Sequence, residues 1–206
     1  MARKLTEAEK RRSELFVKTR SEFEGKGYKC SELTASVAEA NLWGILLPLP
    51  IVILCMIPFF VNGDGSLLAL DFPRMILFVV LMLVCTVLHE GIHGITWATA
   101  SGSGFSTIEF GFIKEYLTPY CTNTKPMSRR AYITGLLMPG IVLGILPMIL
   151  AVFMHSGLLM MLGAVMAFGA GGDFLIFVKI LKHGKKYKDT QYVDHPSEVG
   201  TYVFEK

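Results

Sequence analysis

Four apolar runs of about twenty residues dominate this chain of 206 residues: 42–61, 73–100, 131–154 and 157–181. A hydrocarbon core about 30 Å thick takes roughly 20 apolar residues in a helix to cross. Inside lipid the backbone must satisfy its own polar groups, so such runs become helices. The expected fold is an all-α membrane protein, a bundle of four transmembrane helices. Composition agrees, with 52% hydrophobic and only 18% charged residues against about 25% charged in soluble domains. That excludes a disordered chain, a disulfide-rich secreted module and an ordinary soluble enzyme. Pro48, Pro50 and Pro58 predict a kinked or broken first span, and the third carries Pro139 and Pro147.

Charge placement predicts the orientation. Residues 1–41 carry nine Lys/Arg, whereas the loop after the first span carries only Asp64 and Asp71. The 101–130 loop has Lys114, Lys125, Arg129 and Arg130, and lysines crowd the end of the fourth span. Positive residues favour the cytoplasm. Both termini and the middle loop are therefore expected there, the parity that four spans require. Residues 1–41 read as a cytoplasmic N-terminal helix and linker, 42–181 as the four-span unit, and 182–206 as a cytoplasmic tail. About forty polar residues precede the first apolar run, so no cleavable signal peptide is expected. Cys30, Cys55, Cys85 and Cys121 form no C-x-x-C pair and read as reduced thiols. No motif or aromatic-basic platform suggests nucleic acid as a partner; the lipid bilayer is the expected one.

The polar segments carry local signals. Residues 3–24 read as a solvated surface helix, ended by Gly25 and Gly27. In the middle loop Ile108, Phe110 and Phe112 alternate with Glu109 and Gly111. Tyr116, Thr118 and Tyr120 alternate again after Lys114-Glu115. This predicts a small cytoplasmic β-hairpin-like loop, with Pro119 marking an edge strand. The 199–204 stretch is also β-prone.

The second span holds His89-Glu90-Gly91-Ile92-His93. Helical residues four apart share a face, so His89 and His93 can bind one metal ion. Glu90, one position on, is placed to act as general base on a metal-bound water. Chance gives this pattern roughly once in a hundred chains of such composition. Its place in a span sharpens the reading, because a carboxylate in mid-membrane costs about 2.5–3.5 kcal/mol. A structural zinc site contributes about 10–16 kcal/mol and offsets that cost.

A catalytic zinc takes three protein ligands. Asp173, in Gly171-Gly172-Asp173, is the acidic residue of the fourth span and the expected third ligand. His89 lies sixteen residues from Pro73, and Asp173 sixteen from Gly157. Both therefore fall about 24 Å along helices running in the same direction. The neighbouring glycines would let helices or a substrate backbone approach closely. His155, His183 and His195 read as surface residues, and Cys85 as a packed apolar thiol.

These features resemble the zincin peptidases, small bacterial membrane proteins similar to the site-2 proteases. The shared residues are His89-Glu90-x-x-His93, the Tyr120–Pro126 loop before a proline-bearing third span, Gly171-Gly172-Asp173, and Asp194-His195-Pro196 with Gly200 beyond. The resemblance runs from about Gly27 to the end. It implies a multi-pass cell-membrane protein of bacterial type that binds Zn²⁺ through His89, His93 and Asp173, with Glu90 as catalytic base. The usual later motif, an Asn-Pro pair and a Leu-Asp-Gly, is replaced here by Gly-Gly-Asp. The activity implied is intramembrane proteolysis of a membrane protein or peptide substrate, which the 105–121 loop could hold by strand addition. The alternative is a zinc-binding, non-proteolytic membrane protein, a pseudoprotease or regulator; Glu90 argues against it, since a binding protein needs no base. A metal transporter is disfavoured because the spans offer few other ionisable groups.

Overall fold

The computed structural model describes residues 5–62, 71–113, 118–184 and 187–206. The expected turn at Lys114–Tyr116, Asp64, Lys185 and Lys186 lie outside them. The chain is mostly helical (68%) and adds small antiparallel sheets, so an all-α description is too narrow.

Eight α-helices are described: α1 (Glu7–Gly25), α2 (Val37–Leu46), α3 (Leu49–Asn62), α4 (Phe72–Ala100), α5 (Arg129–Pro139), α6 (Leu146–Met154), α7 (Gly157–Gly169) and α8 (Gly171–His183). Three helical stretches are long and apolar enough to cross a membrane: 37–62, 72–100 and 129–154. The pair α7 and α8, bent by 48°, makes a fourth if it is one broken span.

Each irregularity has a chemical cause. α2 starts on a capping box between Ser36 and Glu39. It ends before Pro48, which cannot continue a ladder. α4 starts at Asp71, whose side chain accepts the Arg74 N–H at 2.9 Å, with proline in the first turn. α5 ends at Pro139, a π-helical segment follows over Gly140–Ile145, and α6 resumes with Pro147 in its first turn. Pro147 offers no N–H to Leu143, so the ladder must shift register there.

The N-terminal half of α4 leaves Ile76, Leu77, Val80, Leu83, Val84 and Val87 exposed. Apolar surface on this scale needs a covering, and a bilayer supplies one. One core joins α3, α6 and α7 through Phe59, Met148 and Met160. A second joins α4, α5 and α8 to the larger sheet through Trp97, Tyr132, Ile176, Ile180 and Tyr192. α2 and α8 touch at two glycines, where a Cβ on Gly171 would stand 2.2 Å from the Gly44 carbonyl.

The strands are β1 (Lys29–Ala35), β2 (Ile108–Ile113), β3 (Thr118–Asn123), β4 (Met127–Ser128), β5 (Thr190–Asp194) and β6 (Val199–Glu205). β2 and β3 form the expected hairpin, with Phe110 opposite Cys121. The other four form an antiparallel sheet in the order β1-β6-β5-β4. Lys29 there pairs with Glu205, so both terminal segments belong to one sheet.

α1 is packed rather than simply solvated. Phe16 stacks on Tyr202 of β6 at 3.9 Å, and Phe23 meets Phe204 at 4.6 Å. Arg12 donates to the Pro196 carbonyl at 3.0 and 3.1 Å and to the Tyr120 hydroxyl at 2.8 Å. Arg11 pairs with Glu109 at 2.8 Å. α1 thus lies across the outer face of the hairpin, while Ile108 and Phe110 press the inner face onto Gly94 of α4.

Candidate metal centre

His89 and His93 sit one turn apart on α4, and Asp173 lies in the first turn of α8. The structure brings all three together, although α7 and α8 are bent by 48° just before Asp173. His89 Nε2 is 3.2 Å from Asp173 Oδ2 and 3.2 Å from His93 Nε2. His93 Nε2 is 3.5 Å from Asp173 Oδ2. Both histidines are buried and Asp173 is partly so.

The tautomer of His93 follows from its partner. Its Nδ1 lies 2.8 Å from the Gly135 carbonyl, which can only accept, so Nδ1 carries the proton. Nε2 then turns a bare lone pair toward His89 and Asp173. Such an outer partner is what orients a metal-binding histidine. The carbonyl is available because residue 139, which would donate to it in a regular helix, is proline. Gly135 also lacks the Cβ that would stand 2.1 Å from Trp97 Cδ1. Trp97 therefore stacks on His93 at 4.9 Å and donates from Nε1 to the Tyr132 carbonyl at 3.1 Å.

The donor set fits a zinc ion. In a tetrahedral shell with bonds of about 2.0–2.1 Å, ligand atoms stand about 3.3–3.4 Å apart. The triangle here has edges of 3.2, 3.2 and 3.5 Å. Two imidazole nitrogens and one carboxylate oxygen also form the His₂-carboxylate set that suits this ion. Among the described residues this is the one group of three or more His, Cys, Asp or Glu placed to hold a metal.

Glu90 is partly buried beside the triangle, and its carboxylate lies near the backbone amide of Cys121 in β3. Burial pushes the Cys121 thiol up, and the charges of Asp194 and Glu90 add to the rise. β3 thus contributes its backbone to the site rather than a thiolate. Gly172, next to Asp173, has nothing within 4 Å of where a Cβ would stand, so the approach there is open.

A protein-family model described as "Putative zincin peptidase" matches residues 82–188, just over half of the chain. The chain belongs to this zincin peptidase family. The matched stretch contains the whole triangle and Glu90. No curated protein and no solved structure matches the chain significantly. Zincin membership implies zinc and a metallopeptidase-like function, and the triangle is where the ion would fit.

The other histidines stand apart from the triangle. His155 is exposed in the turn after α6. His183 and His195 are half-buried and partnered, and neither joins the metal group. His183 Nε2 is 3.1 Å from Glu205, and His195 packs on Tyr202 with ring centroids 4.8 Å apart. All four cysteines are free.

Several supporting groups escaped the sequence reading: the Gly135 carbonyl, Trp97, Tyr132 and the Cys121 amide. Two signals pointed to them. Trp97 lies one turn after His93, and Pro139 lies one turn after Gly135.

Proposed function

We propose that this protein is an intramembrane zinc metalloendopeptidase that hydrolyses peptide bonds of membrane-associated proteins or peptides. The observation that carries the reading is Glu90, a partly buried carboxylate next to His89 and beside a zinc-shaped donor triangle. A site that only stored or sensed a metal would have no use for it. In this reading 42–181 is the membrane unit of a multi-pass bacterial protein with both termini in the cytoplasm. The lysine-rich segments support that orientation.

His89, His93 and Asp173 hold the ion, and the Gly135 carbonyl keeps His93 in the binding tautomer. Zinc, when bound, supplies a Lewis acid that acidifies water and polarises a carbonyl. Glu90 takes a proton from the attacking water as its oxygen bonds to the scissile carbon. It passes that proton to the amide nitrogen as the C–N bond breaks.

The hairpin offers the substrate a backbone edge. Thr124 N–H donates to the Thr107 carbonyl at 2.8 Å, one step beyond the Ile108–Asn123 pair. Hydrogen-bonded pairs alternate along an antiparallel ladder. Ile108, Phe110 and Phe112 therefore turn their N–H groups away from β3, toward the outer edge of β2. An extended substrate can pair there.

The test is wild type against Glu90→Gln in detergent, with bound zinc and cleavage of membrane-spanning peptides measured together. About one zinc in both and cleavage by wild type alone is the expected result. Zinc in both without cleavage by either would favour the non-proteolytic zinc protein instead.

A further inference from the structure

We propose that Asp194 is a positioning residue for Glu90, because its carboxylate tethers the strand whose amide meets that base. Its consequence for catalysis rests on the peptidase reading, whereas its geometry does not.

Asp194 ends β5 and lies beyond the family match, which stops at residue 188. Its carboxylate gathers donors from two other elements. Oδ2 accepts the Asn123 backbone N–H at 2.7 Å and the Thr122 hydroxyl at 3.2 Å. Oδ1 accepts the Tyr132 hydroxyl at 2.6 Å. The first two belong to the end of β3 and the third to α5.

The strand's alternation shows why this tether matters. With Thr107 and Thr124 hydrogen-bonded, Asn123, Cys121 and Pro119 face the edge of β3 away from β2. Proline has no N–H. That edge therefore carries two donors, about 7 Å apart along the strand. One goes to Asp194, and the other meets Glu90. An isolated two-stranded hairpin is marginal by itself, so β3 needs an anchor. Asp194 supplies one two residues from the amide that meets the base.

The other oxygen reaches the metal side of the site. Tyr132 stacks on Trp97 at 5.7 Å, and Trp97 stacks on His93 at 4.9 Å. One carboxylate thus fixes the strand beside Glu90 and the aromatic stack behind His93 in a common frame. Misplacing a reacting group by about 1 Å can cost roughly 10²-fold in rate.

Asn and Ala at this position separate the tether from the charge. Asp194→Asn keeps an oxygen for the Asn123 and Thr122 donors and an amide N–H for the Tyr132 oxygen. Asp194→Ala keeps neither. Full-length protein in detergent is loaded with zinc and assayed on fluorescein-labelled casein and on membrane-spanning peptides, with rates scaled to bound zinc. Asp194→Ala should lower kcat by about 30- to 100-fold with KM within about 3-fold, and Asp194→Asn should stay within about 3-fold of wild type. An Ala variant as fast as wild type, or an Asn variant as slow as the Ala variant, would overturn the proposal.

Hydrogen exchange resolved to single amides gives a readout that needs no substrate. Asp194→Ala should speed exchange at both Asn123 and Cys121 by at least about 10-fold, and Asp194→Asn at neither. Release of Asn123 while Cys121 stays as slow as in wild type would overturn it. Wild-type protein that binds zinc but cleaves nothing would sink the peptidase reading and leave the tether to be judged by this exchange. Should the Ala variant fail to fold, wild type still decides: Cys121 must exchange as slowly as Asn123, and a fast Cys121 amide contradicts the tether.

Discussion

His93 Nδ1–H donates to the Gly135 carbonyl at 2.8 Å, and Pro139, one turn further along α5, has no N–H to compete for that oxygen. The helix break and the metal-ready imidazole are one device. Pro139→Ala should restore a competing donor and leave His93 less well held. Outer-partner changes of this kind typically cost 10–100-fold in metal affinity. Chelator competition should show zinc binding weakened about 10-fold with the protein still folded. Unchanged affinity would mean that the Gly135 contact does not orient His93.

Gly135→Ala tests the packing behind the same imidazole. The new methyl would stand 2.1 Å from Trp97 Cδ1 and 2.2 Å from Nε1, both on a rigid ring. Overpacking typically costs about 1–3 kcal/mol. The expected outcome is a lower thermal midpoint together with partial zinc loss, because Trp97 stacks on His93. A stable variant with full zinc would show that the ring can move aside freely.

Three apolar helices long enough to cross a membrane, the hairpin and the closeness of His89, His93 and Asp173 were legible in the sequence. Each rests on a local signal: a run of apolar residues, a period of two, or a spacing of four. The matching spacing of Asp173 and His89 along their apolar runs points to Asp173, and the two side chains meet despite the bend before α8. The larger sheet was not legible as a sheet. Its β1–β6 pairing joins Lys29 to Glu205, and no local pattern tells a strand which distant partner it will meet. The same reason hid the packing of α1, where Phe16 and Phe23 find their partners on β6. Gly135 and Asp194 act through a backbone carbonyl and a side-chain tether, which only assembled coordinates relate to the site.

Strand addition to β2 predicts a difference between two replacements of Phe110. Its ring packs over Gly94, so both lose that contact. Phe110→Leu keeps the outward N–H and Phe110→Pro removes it, and neither breaks a bond to β3. The proline variant should cleave at least about 10-fold more slowly than the leucine variant with equal zinc. Equal rates would remove β2 as the substrate's edge.

His195 makes the α1–sheet contact pH-dependent. Its Nδ1 accepts the Ser197 and Glu198 N–H groups at 3.2 and 2.8 Å, so Nε2 carries the proton and faces the Tyr202 hydroxyl at 3.0 Å. Burial lowers its pKa, and Glu32 and Glu198 oppose the shift. The folded value lies below the unfolded one of about 6.5. This contribution to stability is therefore present above about pH 6.5 and is lost as pH falls through the folded value. Hydrogen exchange in α1 and β6 should speed up from pH 7.5 to pH 5, after correction for intrinsic rates, and His195→Asn should flatten the change. Greater protection at low pH would contradict the assignment.

The central claim is that one zinc ion is held by His89, His93 and Asp173. Zinc-edge X-ray absorption on the purified, zinc-loaded protein tests it most directly, alongside His93→Ala and Asp173→Ala variants. The account predicts about one zinc in wild type, with two imidazoles and oxygen donors at about 2.0–2.1 Å, and zinc lost from both variants. Sulfur scattering at about 2.3 Å, or full zinc retained in both variants, would contradict it.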